Sequence, residues 1–219
     1  MLQFDIENKS VWETLQDTKD PIIMYGTGNG ADKVFEVFKR LGISVAGVTA
    51  SDGFVRERYF HDFRVTPISD FFEKYEKFTI VVTFGSSRPE VIENIKKLSE
   101  KQTVLVPCVP VIGNEIFDRK FLKENEENLN KAYSILADEK SKGVFKNYVN
   151  FQFSGKLSYR VCWQECAVTE GEGILDLGFM QTASAGLRKN LAGCDRVILF
   201  AATIGLEIDR AIRKYSRIS

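Results

Sequence analysis

The sequence is short of the residues that most often build metal centres and disulfide frameworks. It has one histidine and four cysteines in 219 residues. Cys108, Cys162, Cys166 and Cys194 are too scattered for a disulfide framework, so we interpret them as free thiols in a reducing compartment. Cys162 and Cys166 stand on an expected strand, far in sequence from the histidine, and a zinc site with its usual four ligands is not predicted.

Neither sign of charge is in excess, and long apolar runs are missing. The 30 basic and 30 acidic side chains cancel, which leaves no overall basic field for nucleic acid or an anionic membrane. Residues 1–12 lack the basic and apolar regions of a signal peptide, and no segment is apolar for long enough to cross a bilayer. We therefore expect a cytoplasmic protein that binds neither nucleic acid nor membranes.

What the sequence does contain is an alternation of apolar strands and amphipathic helices. Short apolar runs predict strands at Pro21–Tyr25, Ile43–Ala50, Thr79–Phe84 and Thr103–Val106. Helical spacing follows the first strand over Asp32–Leu41, where Gly42 supplies the stop, and follows the third strand from near Pro89. This alternation predicts a parallel sheet of the Rossmann-like α/β class.

The composition changes twice along the chain and predicts three parts. Residues 1–113 form the predicted Rossmann-like nucleotide-binding-type domain. Residues 114–160 are rich in Lys, Glu and Asn with apolar residues at helical spacing, which predicts a helical connector with a solvated charged face. Residues 161–219 return to short apolar runs and predict a small incomplete α+β module. Its expected elements are a β-hairpin (161–168 and 174–179), a short helix, a strand at 197–202 and a final helix.

A glycine-rich turn joins the first strand to the first helix. Gly26, Gly28 and Ala31 match the G-x-G-x-x-G/A pattern. The first glycine permits the tight turn, the second lets a phosphate approach the backbone, and the small alanine lets the helix pack on the strand. The start of the helix, with Asn29 and Gly30, would offer free N–H groups and a partial positive charge. The predicted ligand is a nucleotide or a nucleotide sugar.

Asp52 follows the second strand, where an acidic side chain usually meets ribose hydroxyls. Asp52 before Gly53 is also an ordinary turn pair. Any tight strand-to-helix turn favours glycine for its backbone freedom, so a packing role without a ligand is the alternative. The candidate cofactor-binding residues are Gly26, Gly28, Asn29, Gly30, Ala31 and Asp52.

Other polar residues past the second strand are weaker candidates. Arg56, Arg58 and Arg64 either contact a phosphate or stay solvated, and the solvated reading is favoured. His61 is favoured as a structural residue over a general base, because that role needs a reacting proton within hydrogen-bond reach. The sequence offers no nucleophile–base pair, metal cluster or carboxylate pair that defines a catalytic centre. No catalytic residue and no metal ligand are therefore predicted.

Three motifs resemble the N-terminal region of bacterial FkbM-type methyltransferases. They are Tyr25–Lys33, Ala50–Arg56 and Phe84–Ser87, with a linker-like motif at Leu136–Ser141. The resemblance covers roughly residues 10 to 160 and implies a link to AdoMet-dependent methyl transfer. The AdoMet-binding domain of that family is not recognised in the remainder of the sequence. Ile174–Gly178 looks like an AdoMet-binding strand end but lacks the further glycines that such a site needs.

The last part of the chain, Ser184–Ser216, resembles another family, the activation domain of vitamin B12-dependent methionine synthase. The matching motifs are Leu187–Asp195, Leu199–Gly205 and Asp209–Arg210. The resemblance implies AdoMet, cobalamin and a cobalamin-dependent methionine synthase as partners in reactivation. That family's AdoMet loop lies downstream of the portion seen here, so no contact is assigned. We expect a truncated fusion that is not catalytic alone. The alternatives are a functional component of cobalamin-dependent methionine synthase reactivation and a vestigial fusion without activity.

Overall fold

The computed structural model describes residues 1–50, 59–86, 88–110 and 113–160, together with the backbone of two later strands. The chain divides into two compact units, Met1–Val161 and Cys162–Ser219. In the second unit, the two strands described, at 172–176 and 196–200, pair in parallel. The predicted hairpin partner at 161–168 and both helices predicted after residue 180 lie outside the described residues. The predicted three-part division stays a prediction.

The first unit begins with a helix and continues with strands and helices in alternation. Its elements are α1 (Val11–Asp17), β1 (Ile22–Tyr25), α2 (Asn29–Leu41), β2 (Gly47–Thr49), β3 (Tyr59–Phe60), β4 (Phe63–Thr66), α3 (Ile68–Lys74), β5 (Thr79–Val82), α4 (Pro89–Lys101), β6 (Thr103–Leu105), α5 (Arg119–Glu124), α6 (Glu126–Ser134) and α7 (Glu139–Ser154). The pair in the second unit is β7 (Glu172–Asp176) and β8 (Arg196–Phe200).

Six strands form one sheet in the order β3-β4-β2-β1-β5-β6. All neighbours are parallel except β3 and β4, which form an antiparallel hairpin at one edge. This confirms the predicted Rossmann-like α/β class. The predicted strand Ile43–Ala50 is shorter, because Gly42 ends α2 in the left-handed conformation and the Ile43 N–H still bonds back to Phe38.

Side chains of the central strands are buried on both faces of the sheet. Met24, Val48 and Val81 pack on α1 and α2, through side chains that include Trp12 and Phe38. The alternate positions pack on α3 and α4 and include Ile23, Tyr25, Ile80 and Val82. Burial on both faces explains why these strands appear in the sequence as continuous apolar runs.

The helices after residue 118 pack against the start of the chain and against one edge of the sheet. Gly155 ends α7 with φ of 65°, and its carbonyl accepts a hydrogen bond from Val106 N at 2.8 Å, just after β6. Residues 1–10, which we call the N-terminal strap, cross α6 and α7. Phe4 of the strap contacts the Tyr133 and Phe145 rings. These helices therefore belong to the first unit.

The strap leads into α1 through a capping box that also holds an ion pair. Ser10 Oγ accepts a hydrogen bond from Glu13 N, and Glu13 Oε2 accepts one from Ser10 N at 2.7 Å. Arg119 Nε donates to Glu13 Oε1 at 2.9 Å. The Arg119 hydrogen bond, followed by those from Ser10, lowers the pKa of Glu13 to about 2, against an opposing effect of desolvation.

The first prediction concerns the acid dependence of this contact. A folded-state pKa below the unfolded value stabilises the fold above the unfolded pKa, and this contribution disappears as pH falls towards the folded pKa. Glu13→Gln keeps the capping box and removes the charge. Because both partners are partly exposed, we expect a loss of only about 0.5–1 kcal/mol near neutral pH.

Urea unfolding at a series of pH values measures this loss. The difference between wild type and Glu13→Gln should shrink steadily from pH 5 towards pH 2. Glu93→Gln, which removes an exposed partner of Lys97 on α4, is the control and should change stability much less. A difference that grows on acidification would contradict the assignment.

Candidate functional site

The turn after β1 begins at a position that only glycine can occupy. Gly26 has φ of 126°, and its N–H donates to the Thr49 carbonyl at the end of β2 at 2.9 Å. A Cβ at Gly26 would lie 2.5 Å from Thr83 Oγ1 and 2.9 Å from Phe84 Cδ1. The tight turn is therefore set both by backbone conformation and by close packing against the end of β5.

Gly28 is the N-cap of α2 and has open space beside it. Its backbone is extended, with φ of −97°, and no side chain caps the helix. A Cβ at Gly28 would meet nothing within 4 Å. The side chains of Ser10, Asp118 and Asp138 cap α1, α5 and α7, whereas α3, α4 and α6 lack a side-chain cap as α2 does. The start of α2, at Asn29, is thus able to receive an acceptor from a ligand.

Close packing explains why small residues stand at positions 30 and 31, without any ligand. A Cβ at Gly30 would collide with the main-chain carbonyl oxygen of Thr83, well inside any normal contact distance. Ala31 is fully buried against the sheet. The ligand-contact role of the six candidate residues stays a prediction, and Asp52 lies outside the described residues, as do Arg56 and Arg58.

The glycine turn lies at the point where the sheet changes direction. From β1 the chain crosses by α2 to β2 on one side, whereas β5 pairs with β1 on the other. Ligands of open α/β sheets bind outside the carboxyl ends of the strands at such a point. In this sheet that place lies between residues 26–29 after β1 and Thr83–Ser86 after β5, and we call it the switch-point crevice.

Aromatic and polar side chains lie on the α4 side of this crevice. Phe84 contacts the Tyr25 ring edge-on, with centroids 5.1 Å apart. Asn94 Nδ2 of α4 donates to Tyr25 Oη at 3.4 Å. At the start of α4, the Arg88 guanidinium pairs with Glu90. Tyr25 and Phe84 lie in motifs identified from the sequence. The sequence pattern does not single out Arg88, Glu90 or Asn94.

His61 lies in the turn between β3 and β4 and ties that hairpin to α2. Its Nε2 is 3.0 Å from Asp32 Oδ1, and its ring stacks on Phe35 with centroids 4.6 Å apart. Among the described non-glycine residues, His61 alone has positive φ, 50°. The contacts fit a structural role. Arg64 is exposed on β4.

Two grooves flank the sheet. One of about 550 Å³ lies at the amino ends of β1 and β2, next to Pro21 and Ala46, which is the opposite edge from the switch-point crevice. The other, of about 480 Å³, runs along α2 from Asn29 to Arg40. The side of this groove opposite α2 includes Pro110, whose carbonyl accepts a hydrogen bond from Lys33 Nζ of α2 at 2.8 Å. The second groove is therefore the one that adjoins the glycine turn.

The described part of the chain offers few other reactive or metal-binding groups. Desolvation raises the pKa of the Cys108 thiol to about 11, despite a hydrogen bond with Gln152, so this thiol is a poor nucleophile near neutral pH. Within the described ranges, no group of three or more His, Cys, Asp or Glu side chains could hold a metal ion. No helix in those ranges combines the length and apolar character needed to span a membrane.

The fold and the turn define a Rossmann-like α/β protein with a glycine turn at the switch point of its sheet. No model of a known protein family matches this chain, and no curated protein matches it. Among solved structures, it is similar to methyltransferase FkbM from Methylobacillus flagellatus KT, with a TM-score of 0.49 and 16% identity. The alignment covers 98% of this chain and 65% of that one. The vitamin B12 resemblance of residues 160–219 stays a prediction.

Proposed function

We propose that the first unit binds a nucleotide-type ligand, a nucleotide or nucleotide sugar, in the switch-point crevice. The observation that carries this proposal is the uncapped, sterically open start of α2 at Gly28, directly after a central parallel strand. An N-terminus of this kind attracts an anionic group by its free N–H groups and by the helix dipole. A phosphate is the anionic group that this geometry suits best.

We further propose that this binding serves methyl transfer in a larger system. The support is the resemblance of residues 10–160 to FkbM-type methyltransferases, and AdoMet and cobalamin enter only through the two family resemblances. The chain is not proposed to be catalytic alone, because no described residue pairs a nucleophile with a base in the crevice. Its partner in this proposal is a separate methyltransferase centre or a cobalamin-dependent methionine synthase.

The test is ligand screening followed by Gly28→Val. A ligand that binds only the folded state raises the melting temperature, so NAD(H), ADP, UDP, UDP-glucose, CoA, AdoMet and cobalamin are screened by thermal shift. The Val side chain would fill the space through which a phosphate approaches the amides of α2. Losing such charge-assisted hydrogen bonds should weaken binding by about 10–100-fold.

Gly143→Val is the matched control. Gly143 lies on α7, far along the chain from the crevice, and a Cβ there would also meet nothing within 4 Å. We expect its affinity for the ligand to equal that of wild type. A ligand that binds wild type and Gly28→Val equally well would place its site elsewhere, and no binding by any of the compounds would refute the proposed function.

A further inference from the structure

The N-terminal strap crosses α7 without forming a helix or strand, and a buried asparagine holds its main chain. Asn150 of α7 is 1% exposed. Its Oδ1 accepts a hydrogen bond from Glu7 N at 2.8 Å, and its Nδ2 donates to the Asp5 carbonyl at 3.0 Å. The amide of Asn150 therefore bonds the main chain on both sides of Ile6, as one residue of a neighbouring parallel strand would.

A second asparagine repeats this contact four residues earlier in the strap. Asn130 Oδ1 of α6 accepts a hydrogen bond from Gln3 N at 2.8 Å, and Asn130 Nδ2 donates to the Met1 carbonyl at 3.2 Å. We call Asn130 and Asn150 the asparagine clamps. Their bonds use only main-chain groups of the strap, so other segments of the same backbone shape could make them too.

The surface of α6 and α7 also holds one aromatic side chain of the strap. Phe4 is 8% exposed, and its ring centroid lies 4.9 Å from that of Tyr133 and 5.7 Å from that of Phe145. The side chains of Gln3 and Asp5, on either side of it, are exposed. Main-chain bonds that give affinity, combined with a side-chain pocket that gives specificity, are the two parts of a peptide-recognition site.

Basic side chains next to the second clamp match the acidic residues of the strap. Lys146 Nζ lies 2.7 Å from Asp5 Oδ2, and Lys156 Nζ lies 2.8 Å from Glu7 Oε1. Exposed ion pairs add little to affinity, but they discriminate against segments of the wrong charge. The surface therefore prefers acidic residues at the first and third positions after the aromatic residue.

We propose that this surface is a peptide-binding site for a partner chain and that the strap closes it from within. The strap groove, as we call it, consists of the asparagine clamps, Tyr133, Phe145, Lys146 and Lys156. The partner segment carries an aromatic residue with acidic residues one and three positions after it. Residues 8–10 are a short connection to α1, so the strap docks at a high effective concentration and outcompetes the strap of a second copy. The strap groove uses no residue of the glycine turn, and the inference does not depend on the proposed function.

A fluorescent peptide with the sequence of residues 1–10 tests the proposal on the full-length chain by anisotropy. Phe4→Ala weakens the competing strap and leaves the strap groove intact, so this variant should bind the peptide about 10–100-fold more tightly than wild type. Asp5→Lys reverses the exposed pair with Lys146 without touching the core, and we expect it to bind the peptide about 3-fold more tightly. Gln3→Ala alters only an exposed side chain of the strap and should bind the peptide as wild type does.

Modified peptides separate main-chain recognition from simple packing. N-methylation at Gln3 and Glu7 removes the two N–H donors that the asparagine clamps accept and keeps every side chain. We expect this peptide to bind the Phe4→Ala chain about 10–30-fold more weakly than the unmodified peptide, the effect of two lost hydrogen bonds. A peptide carrying Gln3→Ala is the matched control and should bind as the unmodified peptide does.

Three results would overturn the inference. The first is that neither Phe4→Ala nor Asp5→Lys binds the peptide more tightly than wild type, which covers the case in which one variant folds poorly. The second is equal binding of the N-methylated and unmodified peptides. The third is a wild-type dimer that forms with rising concentration and is dissociated by the peptide, because it would make a second copy the occupant of the strap groove. Binding of nucleotides at the glycine turn is unaffected by any of these results.

Discussion

Gly30→Ala should be less stable than wild type by about 2–3 kcal/mol, at the upper end of the usual cost of overpacking. The added methyl group would collide with the Thr83 carbonyl oxygen. A side chain in this place could rotate away, but Thr83 contributes main chain at the end of β5, where its N–H is bonded to the Tyr25 carbonyl at 3.0 Å. Relief therefore requires α2 to move away from the sheet.

Urea unfolding of Gly28→Ala provides the matched comparison for this prediction. The two glycines are two residues apart, but a Cβ at Gly28 has free space and its φ of −97° is normal for alanine. We expect the stability of Gly28→Ala to stay within about 0.5 kcal/mol of wild type. Equal destabilisation by the two substitutions would mean that α2 does not contact Thr83 closely at Gly30.

Phe153→Ala should destabilise the whole first unit by about 3–5 kcal/mol, as is usual for a buried aromatic side chain. Phe153 is fully buried on α7, and the Arg119 guanidinium lies 6.0 Å from its ring centroid. Because α7 is hydrogen-bonded to the edge of the sheet through Gly155, the loss should be felt in the sheet as well as in the helices.

Trp12 fluorescence reads out the effect on the sheet side of the unit. Trp12 is buried on α1 and contacts Phe38 of α2 edge-on, with centroids 6.5 Å apart. A Trp163→Phe background leaves Trp12 as the sole tryptophan. Ile135→Ala, at a position that is 61% exposed, is the control and should change stability by less than about 0.5 kcal/mol. A Trp12 transition that Phe153→Ala does not shift would show that 119–154 unfolds separately.

The elements that the sequence predicts well are those whose signal is local. Fully apolar runs become β1, β5 and β6, and Gly42 ends α2 by adopting the left-handed conformation as expected. The helix α1 is not among the predicted elements, although the spacing of Ser10 and Glu13 is a capping box that marks its start. The β3–β4 hairpin is not predicted by the sequence pattern, because its turn uses His61 and Asp62 instead of the usual glycine or asparagine.

The candidate site was predictable as a turn but not as a crevice. The glycine pattern predicted the place and the conformation of Gly26. Position 30 needs glycine because of the Thr83 carbonyl oxygen. Thr83 is distant in sequence and comes close only because β5 pairs with β1. Single-sequence patterns contain no information on which distant strands become neighbours, so this feature needs the folded structure.

Glu7, in the N-terminal strap, joins the two ends of the first unit. Its Oε1 accepts hydrogen bonds from Lys156 Nζ at 2.8 Å and from Tyr159 Oη at 2.9 Å, across sequence separations of 149 and 152 residues. Contacts between such distant residues carry a large loop-closure entropy until the intervening chain is ordered. The strap is therefore expected to dock after the folding transition state, so that weakening it would accelerate unfolding and leave the folding rate almost unchanged.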